Sequence, residues 1–288
     1  MKKIIFVLSC FMAGTFSSCQ SNKGTATDEL NTDRVVCVSK QINEIIFELG
    51  AGNHVIGTDL TSIYPEALKK LPKVGYHRLL NAEGIISLKP TLVIHDGNIA
   101  PMAVLDQLKK VGIPVKEFPE AKTIDETKGL IKQLGSLFKR DKQADSLCAK
   151  LDNDLATAAA DLKQYTTKPK VIIVHFGQQS NQYLVIGKNS VGTKLIELAG
   201  GENAIDIEKG MGPLSAEVIA KAQPDIIFAT DVGFDQKGSV ENFKTLPGIA
   251  LTPAGKNDKI YRLEEHKIMY FTPETGENVL QLMKAIHQ

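Results

Sequence analysis

From residue 34 onward, short apolar runs alternate with stretches of helical spacing. Residues 34–38 form a β-branched run that reads as a buried strand, and 41–49 carry helical spacing that stops at Gly50. Residues 55–58 read as a short strand. Residues 65–70 and 82–87 read as short helices that end ahead of Pro72 and Pro90. The run TLVIH at 91–95 is a buried strand, 103–111 a helix stopped by Gly112, and 115–118 another strand. This β-α-β-α order predicts a mostly parallel sheet covered by helices.

Residues 124–168 break the alternation. Leu130, Leu134, Leu137 and Phe138 share one helical face, and Asp141 is placed to cap a second long segment from 142 to about 165. At helical rise that segment extends roughly 30 Å or more, which suits a rigid spine better than a hinge. After Pro169 the alternation resumes, with strands at 171–175 (VIIVH), 183–186, 225–229 (DIIFA) and 259–262. Helices are predicted at 192–199, stopped by Gly200-Gly201, and at 275–287. The halves also share a local pattern. Glu83 lies seven positions before Pro90 and the strand TLVIH, and Glu217 lies seven before Pro224 and the strand DIIFA. Two α/β lobes of one architecture, 34–120 and 169–288, joined by a helical segment at 121–168, are therefore expected.

The first residues carry a different signal. Lys2 and Lys3 precede an almost wholly apolar or small stretch at 4–15, which is too short to span a bilayer and has the flanks of an export signal. Phe16-Ser17-Ser18-Cys19 resembles a lipoprotein cleavage box, with Phe16 and Ser18 departing from its commonest residues. That resemblance implies a signal peptide at 1–19 and lipidation of Cys19. Residues 20–33 are small and polar and read as a flexible tether.

Composition then removes several function classes. With 43% hydrophobic and 23% charged residues and a net charge of +1, the chain lacks the basic surface that nucleic acid requires. It has no Trp and only 6% aromatics, which disfavours base-stacking platforms. Cys37 and Cys148 sit in apolar and helical runs and read as small buried hydrophobes. There is no GxSxG, no paired acids with a nearby His, and no Cys/His or HExxH zinc spacing, so an enzyme is not expected.

Val74-Gly75-Tyr76-His77-Arg78 with 81–90 (NAEGIISLKP) resembles the GY-x-R…AEG-x-x-SL-x-P stretch of haem-binding members of the helical-backbone (class III) periplasmic binding proteins. Residues 198–204 (LAGGENA) and 246–255 (LPGIALTPAG) resemble their LAGG-x-NA and LPG-x-x-x-TPAG stretches. The resemblance covers about residues 34–288. It implies two Rossmann-like α/β lobes joined by one long helix, with the ligand in the cleft between them. It also implies a partner permease and ATPase of an ABC importer.

The resemblance makes Tyr76 an axial ligand to haem iron, a hard anionic oxygen suited to ferric iron. Arg78, two positions on, would face the same cleft, stabilising phenolate or pairing with a propionate. His175, at the carboxyl end of a strand, is the candidate for a second iron ligand. His95 is a weaker one by the same logic. His77 is kept as a ligand-binding alternative, although strand alternation would turn it to solvent. Asn98 lies in the loop 97–101 expected to line the cleft, and Met211 and Phe234 offer apolar contact. Glu83 and Glu217 would dock the lobes onto permease arginines, although acids also favour helix starts for structural reasons. His54, His266 and His287 read as surface residues. The same fold carrying cobalamin or a ferric siderophore, and a haem scavenger without an importer, remain open alternatives.

Overall fold

The computed structural model describes residues 30–177, 180–208 and 210–288. The first lobe holds β1 (Val35–Val38), α1 (Lys40–Glu48), β2 (Val55–Thr58), β3 (Gly75–Tyr76), β4 (Leu79–Leu80), α2 (Ala82–Ser87), β5 (Leu92–His95), α3 (Ala103–Lys110) and β6 (Val115–Glu117). Its sheet runs β2-β1-β5-β6, all parallel, while β3 and β4 form a separate antiparallel hairpin. Every residue of β1 and β5 is buried, as expected when both faces of a parallel sheet are covered.

Helices α4 (Ile124–Leu137) and α5 (Asp141–Asp161) follow. The predicted cap is shifted by one position. Asp141 is the first residue of α5 and Arg140 occupies the cap without a side-chain bond, so Asp141 complements the helix dipole instead. A 3₁₀ turn, Leu162–Gln164, ends the segment.

The second lobe contains β7 (Lys170–Gly177), β8 (Gln182–Ile186), α6 (Val191–Leu198), β9 (Glu202–Asn203), β10 (Met211–Pro213), α7 (Ala216–Ala222), β11 (Ile226–Thr230), α8 (Asp231–Lys237), α9 (Val240–Phe243), α10 (Pro253–Lys256), β12 (Ile260–Leu263), α11 (His266–Met269) and α12 (Thr275–Ile286). Strands β7, β11 and β12 are parallel, and β8 and β10 extend the sheet as an antiparallel edge. Strand β7 divides its side chains between two cores. Val171 and Ile173 pack with α12, and Ile172 and Val174 pack with Ile219 and Phe243 on the other face. Cys37 and Cys148 are buried free thiols.

The helical pair joins the lobes by packing. Helix α4 lies against α1, and α5 lies along α12. Backbones approach closely at Gly276, where a Cβ would stand 2.5 Å from Asp154 Cβ and 3.0 Å from the Leu151 carbonyl oxygen. On propensity alone, Gly276→Ala would stabilise α12 by up to about 1 kcal/mol. The clash involves atoms that cannot rotate away, and overpacking costs about 1–3 kcal/mol. A net loss of stability on the order of 1 kcal/mol is expected from denaturant unfolding of the Gly276→Ala variant, and unchanged or raised stability would show that α12 and α5 are not in such close contact.

Candidate ligand-binding cleft

The parallel strands of both sheets end on one gap, where open α/β sheets gather ligands. A pocket of about 350 Å³ there is lined by Ser39, Lys40, Asp59, His77 and Asn98 from the first lobe and by His175, Met211, Glu265 and Tyr270 from the second.

The first-lobe wall is organised by Asp59, which follows β2 and is 1% exposed. The Thr61 backbone N–H donates to its Oδ2 at 2.9 Å, and the hydroxyls of Thr61 and Ser62 also donate to the carboxylate. His77 Nδ1 lies 3.7 Å from the same Oδ2 and 3.4 Å from Thr61 Oγ1. Burial alone would raise the Asp59 carboxyl, but hydrogen bonding from His77, Ser62 and Thr61 outweighs it and holds the group down at about 2. Asp59 is thus a fixed anion behind the His77 ring. With Nδ1 turned to Asp59, His77 keeps Nε2 for a ligand.

The sequence expectation that His77 faces solvent is corrected. Strand β3 ends at Tyr76, and His77-Arg78 forms the two-residue turn into β4. Strand alternation does not carry through a turn, and the imidazole enters the cleft. Tyr76 pairs with Leu79, so the two share the hairpin face opposite Leu80. Leu79 is 72% exposed while Leu80 packs into the lobe core. The Tyr76 ring is therefore outside that core, half-buried, with its centroid 4.4 Å from that of His77. It does not itself line the pocket.

Loop 97–101 buttresses the hairpin. Leu80 N–H donates to the Ala100 carbonyl and Ala100 N–H to the His77 carbonyl, each at 2.9 Å. Exposed Arg78 donates from Nη2 and Nε to Asn98 Oδ1 at 3.0 and 3.3 Å, so Arg78 and Asn98 meet at the cleft edge. Gly97, at φ +88°, turns the chain so that its N–H donates to His95 Nδ1 at 3.0 Å. That bond, with 2% exposure, makes His95 a support for the loop.

On the second-lobe wall, His175 lies two residues before the end of β7, and its Nδ1 is 3.2 Å from Thr230 Oγ1 on β11. Burial holds its imidazole below the ordinary histidine value, so it is neutral near pH 7. Lys40 Nζ meets Glu265 Oε1 at 2.5 Å across the cleft. Burial would raise Glu265, but the Lys40 ammonium keeps it ionised below the usual range. Met211 lines the pocket, while Phe234 stacks on Phe243 within the second lobe.

Glu83 and Glu217 are exposed in the first turns of α2 and α7, which are capped by Asn81 and Ser215. These helices precede β5 and β11, the equivalent strands of the two sheets. Cys19 lies outside the described residues, and among the described residues no helix is long and apolar enough to cross a membrane. Sequence reasoning did not single out Asp59, Lys40 or Glu265. Asp59 and Lys40 were within its reach, since Asp59 directly follows β2 and Lys40 starts the helix one residue beyond β1.

Comparison with known proteins accounts for this arrangement. The "Periplasmic binding protein" family profile matches residues 35–266. The apo periplasmic haem-binding protein RhuT of Roseiflexus sp. RS-1 superposes with a TM-score of 0.81 at 33% identity, over 89% of this chain and 98% of that one. The periplasmic haem-binding protein BhuT in complex with two haems gives 0.78 at 28% identity, over 88% and 97% of the two chains. In sequence, the uncharacterised ABC transporter substrate-binding lipoprotein YvrC of Bacillus subtilis is 27% identical over 88% of this chain and 80% of its own length. A vitamin B12-binding protein of Vibrio vulnificus is 28% identical over 84% and 86%. Its two lobes around a polar cleft, and a family match over most of its length, identify the chain as a member of the periplasmic binding protein family, serving as the substrate-binding component of an ABC transporter and not as an enzyme.

Proposed function

We propose that the transported ligand is haem, gripped between the Tyr76-His77 hairpin of the first lobe and His175 of the second. The observation that carries this reading is that His77 and His175, from opposite lobes, line one pocket with each Nδ1 already engaged. Such outer partners orient an imidazole and leave Nε2 for a metal. Tyr76 and His175 take the two axial positions as phenolate and imidazole, and His77, in ring contact with Tyr76, is the alternative donor from the first lobe. Arg78, steadied by Asn98, meets a propionate carboxylate. Exposed Leu60, Leu79 and Met102 lie on or beside the hairpin, and Met211 on the facing lobe, offering apolar contact to a porphyrin. Cys19 carries the lipid that holds the protein at the membrane, and Glu83 and Glu217 engage the permease. The names of the sequence relatives favour cobalamin as the second reading.

Absorption titration of the soluble domain with hemin, cobalamin and a ferric siderophore separates these readings. A Soret band saturating with hemin is expected, shifted or weakened in Tyr76→Ala and His175→Ala. A response to cobalamin alone, or a hemin spectrum indifferent to Tyr76, His77 and His175 together, overturns the assignment. Asp59→Asn should weaken hemin binding about 10–100-fold, the usual cost of removing an outer partner of a metal-bound histidine.

His175 also sets a pH expectation. Its depressed protonation means that the ligating neutral form persists as pH falls through about 6.5, where an unperturbed histidine is half charged. The bound-hemin spectrum should therefore hold from pH 7.5 to below 6.5, and loss of the Soret band with a midpoint above 6.5 would exclude His175 as the buried ligand.

In cells supplied with haem as the iron source, Glu83→Ala/Glu217→Ala should abolish growth while hemin affinity stays unchanged. Normal growth would favour a scavenger that works without the permease.

A further inference from the structure

We propose a second, separate site: a divalent cation of the zinc type held by Glu44, His266 and Glu274 at the seam between the lobes. Three suitable ligand atoms, one from each residue, lie within 4.8 Å of one another. Glu44 belongs to α1 of the first lobe, while His266 begins α11 and Glu274 precedes α12 in the second. The sequence reading of His266 as a surface residue is corrected, because it is 6% exposed and Glu44 only 1%.

What points to a ligand is the unmet demand of these groups. Glu44 Oε1 and both ring nitrogens of His266 are buried without a hydrogen-bond partner. His266 Nδ1 stands 3.6 Å from Glu44 Oε1, too long for a hydrogen bond. It is close to the roughly 3.3 Å that separates two atoms bound tetrahedrally at about 2.0 Å to one zinc. Leaving buried polar atoms without partners is costly, and a bound cation removes that cost.

An outer partner of a metal site is also present. Tyr270 donates its hydroxyl proton to Glu44 Oε2 at 3.2 Å, steadying the carboxylate. His266 Nε2 lies 3.6 Å from Glu264 Oε2, close by but beyond hydrogen-bond reach, so Tyr270 is the partner that orients the site. Tyr64 from the first lobe stacks on the His266 ring at 3.5 Å and closes one side. The local field is negative. Burial together with the carboxylates of Glu274, Glu44, Glu48 and Glu264 pushes the Tyr64 phenol up to about 12. Neighbouring lysines are engaged elsewhere, Lys267 with Glu264, Lys40 with Glu265 and Lys150 with Asp154 and Glu277. Two carboxylates and a neutral imidazole match one divalent charge, with water in the fourth position. Bound there, the cation ties α1 to α11 and α12 and restrains lobe opening.

The test uses haem-free protein stripped with EDTA and dialysed against Zn²⁺ alone, with retained metal measured by mass spectrometry and melting followed in parallel. One zinc per chain and a raised melting temperature are expected. Glu274→Gln, at a half-exposed position that tolerates the change, should bind zinc about tenfold more weakly or worse and lose the thermal shift, and His266→Gln should behave alike. The double variant His77→Ala/His175→Ala should keep its zinc, which separates this site from the cleft imidazoles. Absence of stoichiometric zinc, zinc retained by Glu274→Gln, or zinc lost from the cleft double variant overturns the proposal. None of these outcomes alters the Soret titration, so the two readings fail independently.

Discussion

The geometry of the cleft depends on one buried amide. Gln41, on the first turn of α1 and 3% exposed, donates from Nε2 to the carbonyls of Ala121 at 3.0 Å and Phe271 at 2.8 Å. Its Oε1 accepts from Ala121 N–H at 2.9 Å. A single side chain thus bonds the start of the helical link and the second lobe to the first lobe. Each bond contributes about 1 kcal/mol net, but losing the amide would strand buried backbone groups at a further cost of about 1–3 kcal/mol each. The strand ends that face the pocket keep their spacing because this seam fixes the two sheets relative to one another. Lys40, the preceding residue, adds the ion pair to Glu265, so two adjacent positions supply both the dry and the wet parts of the contact.

Charge in the cleft is arranged to orient rather than to attract. Asp59 is ionised and fully occupied by donors, so it acts on a ligand only through the imidazole it positions. Glu265 is likewise spent on Lys40. Facing them, His175 is neutral because burial penalises its charge. Asp96 and Glu120 also line the pocket, and the two imidazoles are its facing nitrogen donors, one from each lobe. Two nitrogen donors facing one another, that of His175 neutral, with a cationic Arg78 at the rim, are the features on which the haem proposal rests.

Much of this was legible along the chain, and the misses have definite causes. The alternation of apolar runs and helical segments located the central strands, because buried parallel strands write a continuous signal. The hairpin left no such signal, since β3 and β4 are two residues each. Strand alternation through Tyr76-His77-Arg78 holds only for a straight chain, and the turn at His77-Arg78 is what sends the imidazole into the cleft. The duplicated Glu-to-Pro spacing did locate α2 and α7 at equivalent places ahead of β5 and β11. His266 was misplaced for another reason. Its burial comes from Tyr64 and Glu44, more than 200 positions away, and only tertiary packing brings them together.

The seam and the cleft impose opposite requirements on the same helix. On the cleft side, α1 must leave room for a ligand to enter and depart, which favours exchangeable contacts such as Lys40–Glu265, both partners of which reach solvent. On the far side it must not slip, since a displacement of even 1 Å would separate the two walls from a ligand that both must touch. Gln41 and Glu44 lie three positions apart on one helical face and point into the dry seam, with Tyr270 and Phe271 opposite. Ser39 and Lys40 lie just before them and open on the pocket. Opening the lobes widely would break the Gln41 bonds and expose Glu44, whereas small adjustments at Lys40 would not. A modest rocking about α1, with α5 held straight against α12, is the motion that such a division of contacts permits.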